Sequence, residues 1–97
     1  MYSNIKRIDI NSTVLISIHP NPVTTVTKLT IQQETDAPGE LQIVDAGGSM
    51  IYRQELEIRK GINQFDLALG VKLRNGVYQA IILINNKPYI FKLLIKK

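Results

Sequence analysis

Apolar and polar residues alternate with a period of two along almost the whole of this chain. The alternation recurs in seven stretches, separated by short segments rich in proline, glycine, aspartate and asparagine, and helical spacing is nowhere sustained. The predicted strands are residues 14–19, 26–33, 40–45, 50–58, 62–69, 77–84 and 88–97. The pattern therefore predicts an all-β protein whose antiparallel strands each bury one face.

The last predicted strand reaches the final residue of the sequence. Every second residue from Tyr89 to Ile95 is aromatic or aliphatic and falls on one face, whereas Lys92 and Lys96 fall on the other. Because the first of these faces belongs in a core, we expect the end of the chain to be structured rather than frayed. The end of the chain is thus predicted to be part of the core and to finish with a basic residue, Lys97. These two properties suggest that a partner recognises the end of the chain.

The other strands and their turns indicate a sandwich. Residues 77–84 are apolar on both faces, which suits a central strand. Asn85 and Asn86 tolerate positive φ and predict a two-residue turn into the last strand. Tyr78 lies near the start of the sixth strand, where immunoglobulin-like folds carry a tyrosine corner. Seven short, regularly spaced strands therefore predict a single immunoglobulin-like antiparallel β-sandwich.

Proline and glycine mark the connections between these strands. Pro20-Asn21-Pro22 ends the first strand, because neither proline can donate to a ladder. Residues 36–39 predict a turn, and residues 46–49 predict a glycine hairpin turn in which Asp45 accepts hydrogen bonds from the local backbone. Residues 70–76 predict a loop before the sixth strand.

The length of 97 residues allows one domain with one core. We expect residues 14–97 to form it and residues 1–13 to be a linker or a junction to an upstream cargo. The N-terminus lacks the hydrophobic core of a signal peptide, and no apolar stretch is long enough to span a membrane. The chain is therefore either cytoplasmic or one domain of a longer precursor that carries its export signal elsewhere.

The net charge of +4 comes from twelve basic residues spread along the chain, without a block of like charge. Nucleic-acid binding would require clustered cations with exposed aromatic residues, and the sequence holds only four Tyr, two Phe and no Trp. We expect most lysines to lie on solvated strand faces and no nucleic acid to be bound. An anionic glycolipid headgroup is a secondary possibility, because interfacial lysines are attracted to such surfaces.

The sequence offers little catalytic chemistry. Cysteine is absent, which excludes disulfides and zinc–thiolate sites. His19 follows a strand without a neighbouring nucleophile. Glu55 and Glu57 share a strand face with Arg53 and Arg59, so they indicate a mixed-charge solvent face rather than opposed carboxylates across a cleft. We expect no catalytic site, no cofactor and no metal.

The order of the motifs resembles the type A C-terminal sorting domain of the type IX (Por) secretion system of Bacteroidetes. Individually the motifs are weak, but their order, ending on a basic terminus, is specific. The series comprises Pro20-Asn21-Pro22, Lys28-Leu29-Thr30-Ile31, Leu41-x-Ile43-x-Asp45-x-x-Gly48, Gly61-x-Asn63-x-Phe65-x-Leu67, Leu73-x-x-Gly76-x-Tyr78 and Phe91-Lys-Leu-Leu-Ile-Lys-Lys97.

The resemblance implies a noncatalytic signal domain at the end of a larger exported cargo. In such a protein the cargo crosses the periplasm, the outer-membrane translocon recognises the domain, and a sortase then removes it at the cell surface. The cargo is either anchored to lipopolysaccharide or released outside the cell. Under this interpretation cleavage falls in residues 1–13.

The residues that the resemblance and the turn chemistry single out are Pro20, Asn21, Pro22, Asp45, Gly48, Gly61, Asn63, Gly76, Tyr78, Lys92, Leu93, Ile95, Lys96 and Lys97. We expect Pro20, Asn21, Gly76 and Tyr78 to hold turns and corners. We expect the three lysines either to contact the secretion machinery or to protect an exposed strand from aggregation, and both roles are compatible.

Two other functions stay open at this point. A noncatalytic carbohydrate-binding or adhesive module would present a row of exposed aromatic residues, for which only Tyr2, Tyr52, Tyr78 and Tyr89 are available. The positions of Tyr78 and Tyr89 in their strands indicate that both point inward, so this function ranks second. An enzyme ranks third, because no group of residues supports catalysis.

Overall fold

A computed structural model describes residues 14–97 of the protein. The expected linker, residues 1–13, lies outside the described residues. The described part contains seven strands and one helical turn, which confirms the prediction of an all-β protein. The elements are β1 (Leu15–His19), β2 (Thr27–Gln33), β3 (Ala37–Val44), β4 (Met50–Ile58), β5 (Gly61–Leu67), α1 (Leu69–Lys72), β6 (Gly76–Ile84) and β7 (Lys87–Ile95).

The strands form two antiparallel sheets. One sheet has the order β1-β2-β5, and the other has the order β4-β3-β6-β7. Strand β6 lies between β3 and β7, as its two apolar faces predicted. The inward faces of both sheets contribute to one hydrophobic core, so the predicted sandwich is confirmed.

The core contains the residues that the period of two placed inward. Leu29 and Ile31 of β2 are fully buried, and so are Leu41 and Ile43 of β3. Burial of each such side chain contributes roughly 1.5–3 kcal/mol. Among residues 14–97, Thr27 is the buried polar residue. Its hydroxyl donates a hydrogen bond to a backbone carbonyl, so the burial leaves no unsatisfied hydroxyl donor.

The prediction of a turn at residues 36–39 was wrong, because β3 already begins at position 37. Pro38 lies where β3 extends beyond its ladder with β6, so its missing N–H costs no ladder bond, and its carbonyl accepts a hydrogen bond of 3.0 Å from the Asn85 N–H. Gly39 permits close packing, because a Cβ there would lie 2.4 Å from Cδ1 of Ile58.

The predicted loop at residues 70–76 contains the single turn α1, and β5 ends at position 67 rather than 69. The Leu73 N–H closes the turn by donating to the Leu69 carbonyl over 2.8 Å. Gly70 lies against the chain between β1 and β2, and its N–H donates to the Thr25 carbonyl over 2.8 Å. A Cβ at this glycine would lie 2.0 Å from the Thr24 oxygen, so the close approach of the two backbones requires glycine.

Two predicted turns are confirmed. Asn85 and Asn86 have φ of 56° and 69°, and they close the hairpin between β6 and β7. The Asp45 carboxylate accepts hydrogen bonds of 2.9 Å from the backbone N–H groups of Gly47 and Ser49. The carboxylate therefore stabilises the turn between β3 and β4, as expected.

Candidate functional site

The C-terminal half of β7 is where distant parts of the chain meet. One edge of this strand pairs with β6, and the other is covered by part of residues 20–25, the segment that we term the strap. Val23 of the strap is fully buried and forms a parallel bridge with Ile95. Its N–H donates to the Leu94 carbonyl over 2.7 Å, and its carbonyl accepts from the Lys96 N–H over 2.9 Å. The strap therefore closes the sheet edge where β7 ends.

Asn21 continues this pairing with its side chain. Its Nδ2 donates to the Lys92 carbonyl over 2.9 Å, and its Oδ1 accepts from the Leu94 N–H over 3.1 Å. An amide side chain offers one acceptor and two donors, so it replaces a peptide group at the strand edge. Both flanking prolines follow cis peptide bonds. The Pro20 carbonyl accepts the hydroxyl hydrogen bond of Thr27 over 2.8 Å, which ties the strap to β2.

The corner before β6 holds the end of the chain. The Tyr78 hydroxyl donates to the Arg74 carbonyl over 2.7 Å, which confirms the predicted tyrosine corner. Asn75 Oδ1 accepts a hydrogen bond of 3.0 Å from the Lys97 N–H. Gly76 begins β6 and pairs with the last residue of β7. The corner and the strap therefore fix the same terminal segment from two sides.

The two faces of this segment differ as predicted. Leu93 and Ile95 are buried in the core, whereas Lys92, Lys96 and Lys97 are exposed. Within residues 14–97, none of these three lysines lies within 4.0 Å of a carboxylate. The segment therefore presents three cations without a compensating acid.

Two of the singled-out residues, Gly61 and Asn63, lie at the start of β5, away from the strap. Asn63 Oδ1 accepts from the Arg59 N–H over 2.9 Å, and its Nδ2 donates to the Arg59 carbonyl over 2.8 Å and to the Ile31 carbonyl over 3.2 Å. Gly61 adopts a φ of 102°, which favours glycine. The Asn63 bonds hold the β4–β5 connection against the three-stranded sheet, so both residues have a structural role.

The turn between β3 and β4 is closer to the lysine segment. Gly48 adopts a φ of 90° in this turn. A shallow depression of about 440 Å³ on the outward side of the four-stranded sheet is bordered by Asp45, Gly48, Tyr78 and Lys92, together with apolar neighbours. The fold therefore brings together four of the singled-out residues that are up to half of the chain apart.

The same outward side of the sheet carries paired charges at its other edge, along β3 and β4. Arg53 donates from Nε and Nη2 to the two carboxylate oxygens of Glu40, each over 2.9 Å, and Arg59 donates to Glu57 over 2.7 Å. The guanidinium hydrogen bond lowers the pKa of Glu40 below its usual value and raises the pKa of Arg53. The mixed-charge solvent face expected around Glu55 is therefore confirmed.

The sequence interpretation named both ends of this site but missed their contact. Nothing in the alternation shows that Asn21 reaches Lys92, because the partners are 71 positions apart. It also missed Val23 and Gly70. The sequence signal for Val23 was its place as an isolated apolar residue directly after the proline motif. A solvated loop does not require an apolar side chain there.

The described residues offer few groups for other chemistry. Among residues 14–97 there is no cluster of three or more histidine, cysteine, aspartate or glutamate residues that could hold a metal. Within the same range, no helix is long and apolar enough to cross a membrane. Tyr52 and Tyr89 are half-buried and Tyr78 is buried, whereas Tyr2 lies outside the described residues. These tyrosines do not form the exposed aromatic row that a carbohydrate-binding module would use.

Comparison with known proteins gives a family and a related fold. The family model described as "Secretion system C-terminal sorting domain" matches residues 17–96, which include the strap and all of β7. No curated protein sequence matches the chain. The crystal structure of dimeric latent PorU from Porphyromonas gingivalis superposes with a TM-score of 0.67 and 16% identity, over 95% of this chain and 10% of PorU. At this identity the likeness shows a shared fold, and the chain spans about a tenth of PorU.

Proposed function

The chain belongs to the family of secretion-system C-terminal sorting domains, and on this premise we propose that it directs an attached cargo protein through the outer-membrane translocon of the type IX system. The family assigns the chain to type IX secretion, which exports proteins through the outer membrane. We further propose that the cargo passes through the periplasm, and that a sortase then separates it from the domain at the cell surface.

The observation that carries this proposal is the extent of the family match. It covers residues 17–96 and therefore includes the strap, Lys92 and Lys96. The strap and the terminal segment are joined by four hydrogen bonds, two from the Asn21 side chain and two from the Val23 backbone. A terminal strand fixed in this way presents its lysines at constant positions, which supports recognition of the folded domain by a partner.

The proposed roles follow from the contacts. The strap and the Tyr78 corner position the terminal segment, and Lys92, Lys96 and Lys97 contact the machinery. Residues 14–97 act as the sorting unit, and residues 1–13 form the junction that the sortase cleaves. After cleavage the cargo is either anchored at the cell surface or released.

A reporter fusion tests the proposed recognition by lysines. The 97-residue chain is placed after a reporter with an inner-membrane export signal, in a bacterium with a type IX system. Replacing Lys92, Lys96 and Lys97 with Gln removes the unpaired cations without touching the core. We expect the reporter to accumulate in the periplasm, as measured by cell fractionation, while the thermal melting temperature of the domain stays unchanged. Deletion of residues 93–97 gives the same arrest, but it also removes core residues.

The matched control replaces three exposed lysines on other surfaces, Lys28, Lys60 and Lys72, with Gln. This variant carries the same change in net charge, so its export should equal that of the parent. Normal surface delivery of the first variant would contradict the role of the terminal lysines. The mass of the delivered reporter tests the sortase step, because cleavage within residues 1–13 removes the whole sandwich.

A further inference from the structure

The outward side of the β6–β7 hairpin carries an apolar surface, which we term the β6–β7 face. Its members come from alternate positions of both strands and pair across them. Ile90 is 60% exposed and Val77 is 49% exposed, and their apolar neighbours on this side are half-buried. The members of the β6–β7 face are Val77, Ile81, Leu83, Ile90 and Leu94. The Gln79–Lys92 pair lies between the Val77–Leu94 and Ile81–Ile90 pairs, so the apolar residues of the face lie on both sides of one cation. Exposed apolar residues grouped in this way mark an interaction site more often than isolated residues do.

The adjacent edge of β7 is closed to strand addition. Pro88 has no N–H to offer at the start of the strand. The outward backbone groups from Lys92 to Lys96 are occupied by the strap. The free stretch between them, around Ile90, is too short for an added strand to form a regular ladder. A partner must therefore contact this hairpin through side chains on its face.

The charge on the β6–β7 face has one sign. Lys92 and Lys96 extend on its outward side, and within residues 14–97 neither is paired with an acid. Asp45 borders the face, but its Oδ1 is engaged by two N–H groups of its own turn. Glu40, at the far side, is bound by both donors of Arg53. Lys92 lies within the face and Lys96 at its end, so a complementary surface combines apolar side chains with carboxylates opposite these two lysines.

We propose that the β6–β7 face is a docking surface for a protein of the secretion machinery, which contacts it with apolar side chains and places carboxylates opposite Lys92 and Lys96. This inference rests on the proposed function and adds the surface through which it acts. Ile90 is the central contact, because it is the most exposed apolar residue of the face. The lysines set orientation and association rate, and the apolar side chains supply the affinity.

Two other occupants fit the face less well. In a two-fold dimer the same patch meets itself, so the cations of both copies would lie in one interface without acids. Recognition of anionic lipid headgroups is typical of clusters of about four to eight cations, whereas only Lys92 and Lys96 lie on this face. A protein that offers both apolar side chains and carboxylates satisfies the apolar and the charged groups of the face.

The test compares Ile90→Gln with Ile62→Gln in the reporter fusion described above. Both isoleucines lie on the solvent side of a strand, and they are 60% and 68% exposed, so the two substitutions make the same chemical change on opposite sheets. Export of the Ile90→Gln fusion should fall by about tenfold, the loss expected when one buried apolar side chain becomes polar. Export of the Ile62→Gln fusion and the melting temperatures of both variants should match the parent.

The possible outcomes separate this inference from the proposed function. Equal export of the parent and Ile90→Gln fusions would overturn the docking surface and leave the sorting function intact. If the unmodified fusion fails to leave the periplasm, both proposals are contradicted.

A second measurement does not depend on the stability of a variant. A photoreactive benzophenone amino acid is placed at position 90 or 62, and the cross-linked products in exporting cells are identified by mass spectrometry. We expect the product at position 90, and not at position 62, to contain a protein of the type IX machinery. A product with lipid, with the cargo or with a second copy of the chain, or equal products at both positions, would overturn the inference.

Discussion

The two outer edges of the four-stranded sheet are protected in different ways. At the β4 edge, Arg53 and Glu57 belong to an alternation of opposite charges, and their partners lie on the same or the adjacent strand. At the β7 edge the protection comes from Asn21 and Val23, whose partners are more than 70 positions away in the sequence. The first arrangement is local and electrostatic, and the second depends on the complete fold.

This difference bears on how a sorting signal is built. The β4 edge is charged in any state of the chain, so it prevents unwanted strand pairing even before folding is complete. The β7 edge acquires its strap only when both sheets are in place. A partner that contacts β7 therefore distinguishes folded domains from unfolded ones, which is useful for a signal that commits a cargo to export.

The largest effect is expected where the strap rests on α1. Gly70→Ala would place a Cβ 2.0 Å from the Thr24 oxygen and 2.6 Å from the Thr25 Cα. Because both contacts are with backbone, one of the two segments must move, at a cost of about 3 kcal/mol. Urea unfolding should show this loss. In the control Gly47→Ala, the nearest atom, 3.5 Å away, is Asp45 Oδ1, so its stability should stay within about 0.5 kcal/mol of the parent.

A loss of about 0.5 kcal/mol or less for Gly70→Ala would show that the strap has no fixed path over α1. The protection of the β7 edge would then differ less from that of the β4 edge than the contacts indicate. Hydrogen exchange adds a local measurement, because displacement of the strap should expose the Leu94 and Lys96 amides while those of β4 stay protected.

An intermediate effect is expected from Asn21→Ala. The substitution removes the two hydrogen bonds to Lys92 and Leu94, and the Leu94 N–H loses its acceptor. The free energy of unfolding should fall by about 1–2 kcal/mol. Asn21→Asp retains the acceptor and loses the donor, so its amide exchange at Leu94 should stay closer to that of the parent. If Asn21→Ala unfolds at the same urea concentration as the parent, water replaces the side chain at no cost and the strap depends on Val23 alone.

The sequence predicted what depends on neighbours along the chain. The strand faces, the Asp45 turn, the Asn85-Asn86 hairpin and the Tyr78 corner all follow from local periodicity and turn chemistry. The errors arose where contacts with distant parts of the chain overrode the local preference of a residue type. Pro38 is a turn residue by preference, yet it fits β3 because the ladder with β6 begins one residue later.

The candidate site was predictable as a set of residues but not as an arrangement. Pro20-Asn21-Pro22 and the terminal lysines were both singled out, whereas their contact required the path of residues 20–26 across to β7. Gly70 was predicted only as part of a loop. The reason for a glycine at this position is the close approach of the Thr24 backbone, which is distant in the sequence. A period of two assigns residues to faces and contains no information about which segment covers an edge.

The smallest effect is expected at the β4 edge, from Glu40→Gln. The bond to Arg53 lowers the pKa of Glu40 in the folded state, so the pair stabilises the fold above the pKa of the unfolded chain, and this contribution is lost as the pH falls through the folded value. Glu40→Gln should therefore be slightly less stable than the parent at pH 7 and equal to it in acid. Urea titrations at both pH values, with and without salt, measure the difference.

The same titrations on Asn21→Ala complete the comparison of the two edges. Its hydrogen bonds involve neutral groups, so its deficit in stability should be independent of pH and salt, whereas the deficit of Glu40→Gln is an exposed-pair effect that salt screens. A Glu40→Gln deficit that persists in acid would mean that the carboxylate acts through packing instead of charge. The electrostatic account of the β4 edge would then fail, while the strap at β7 would keep its interpretation.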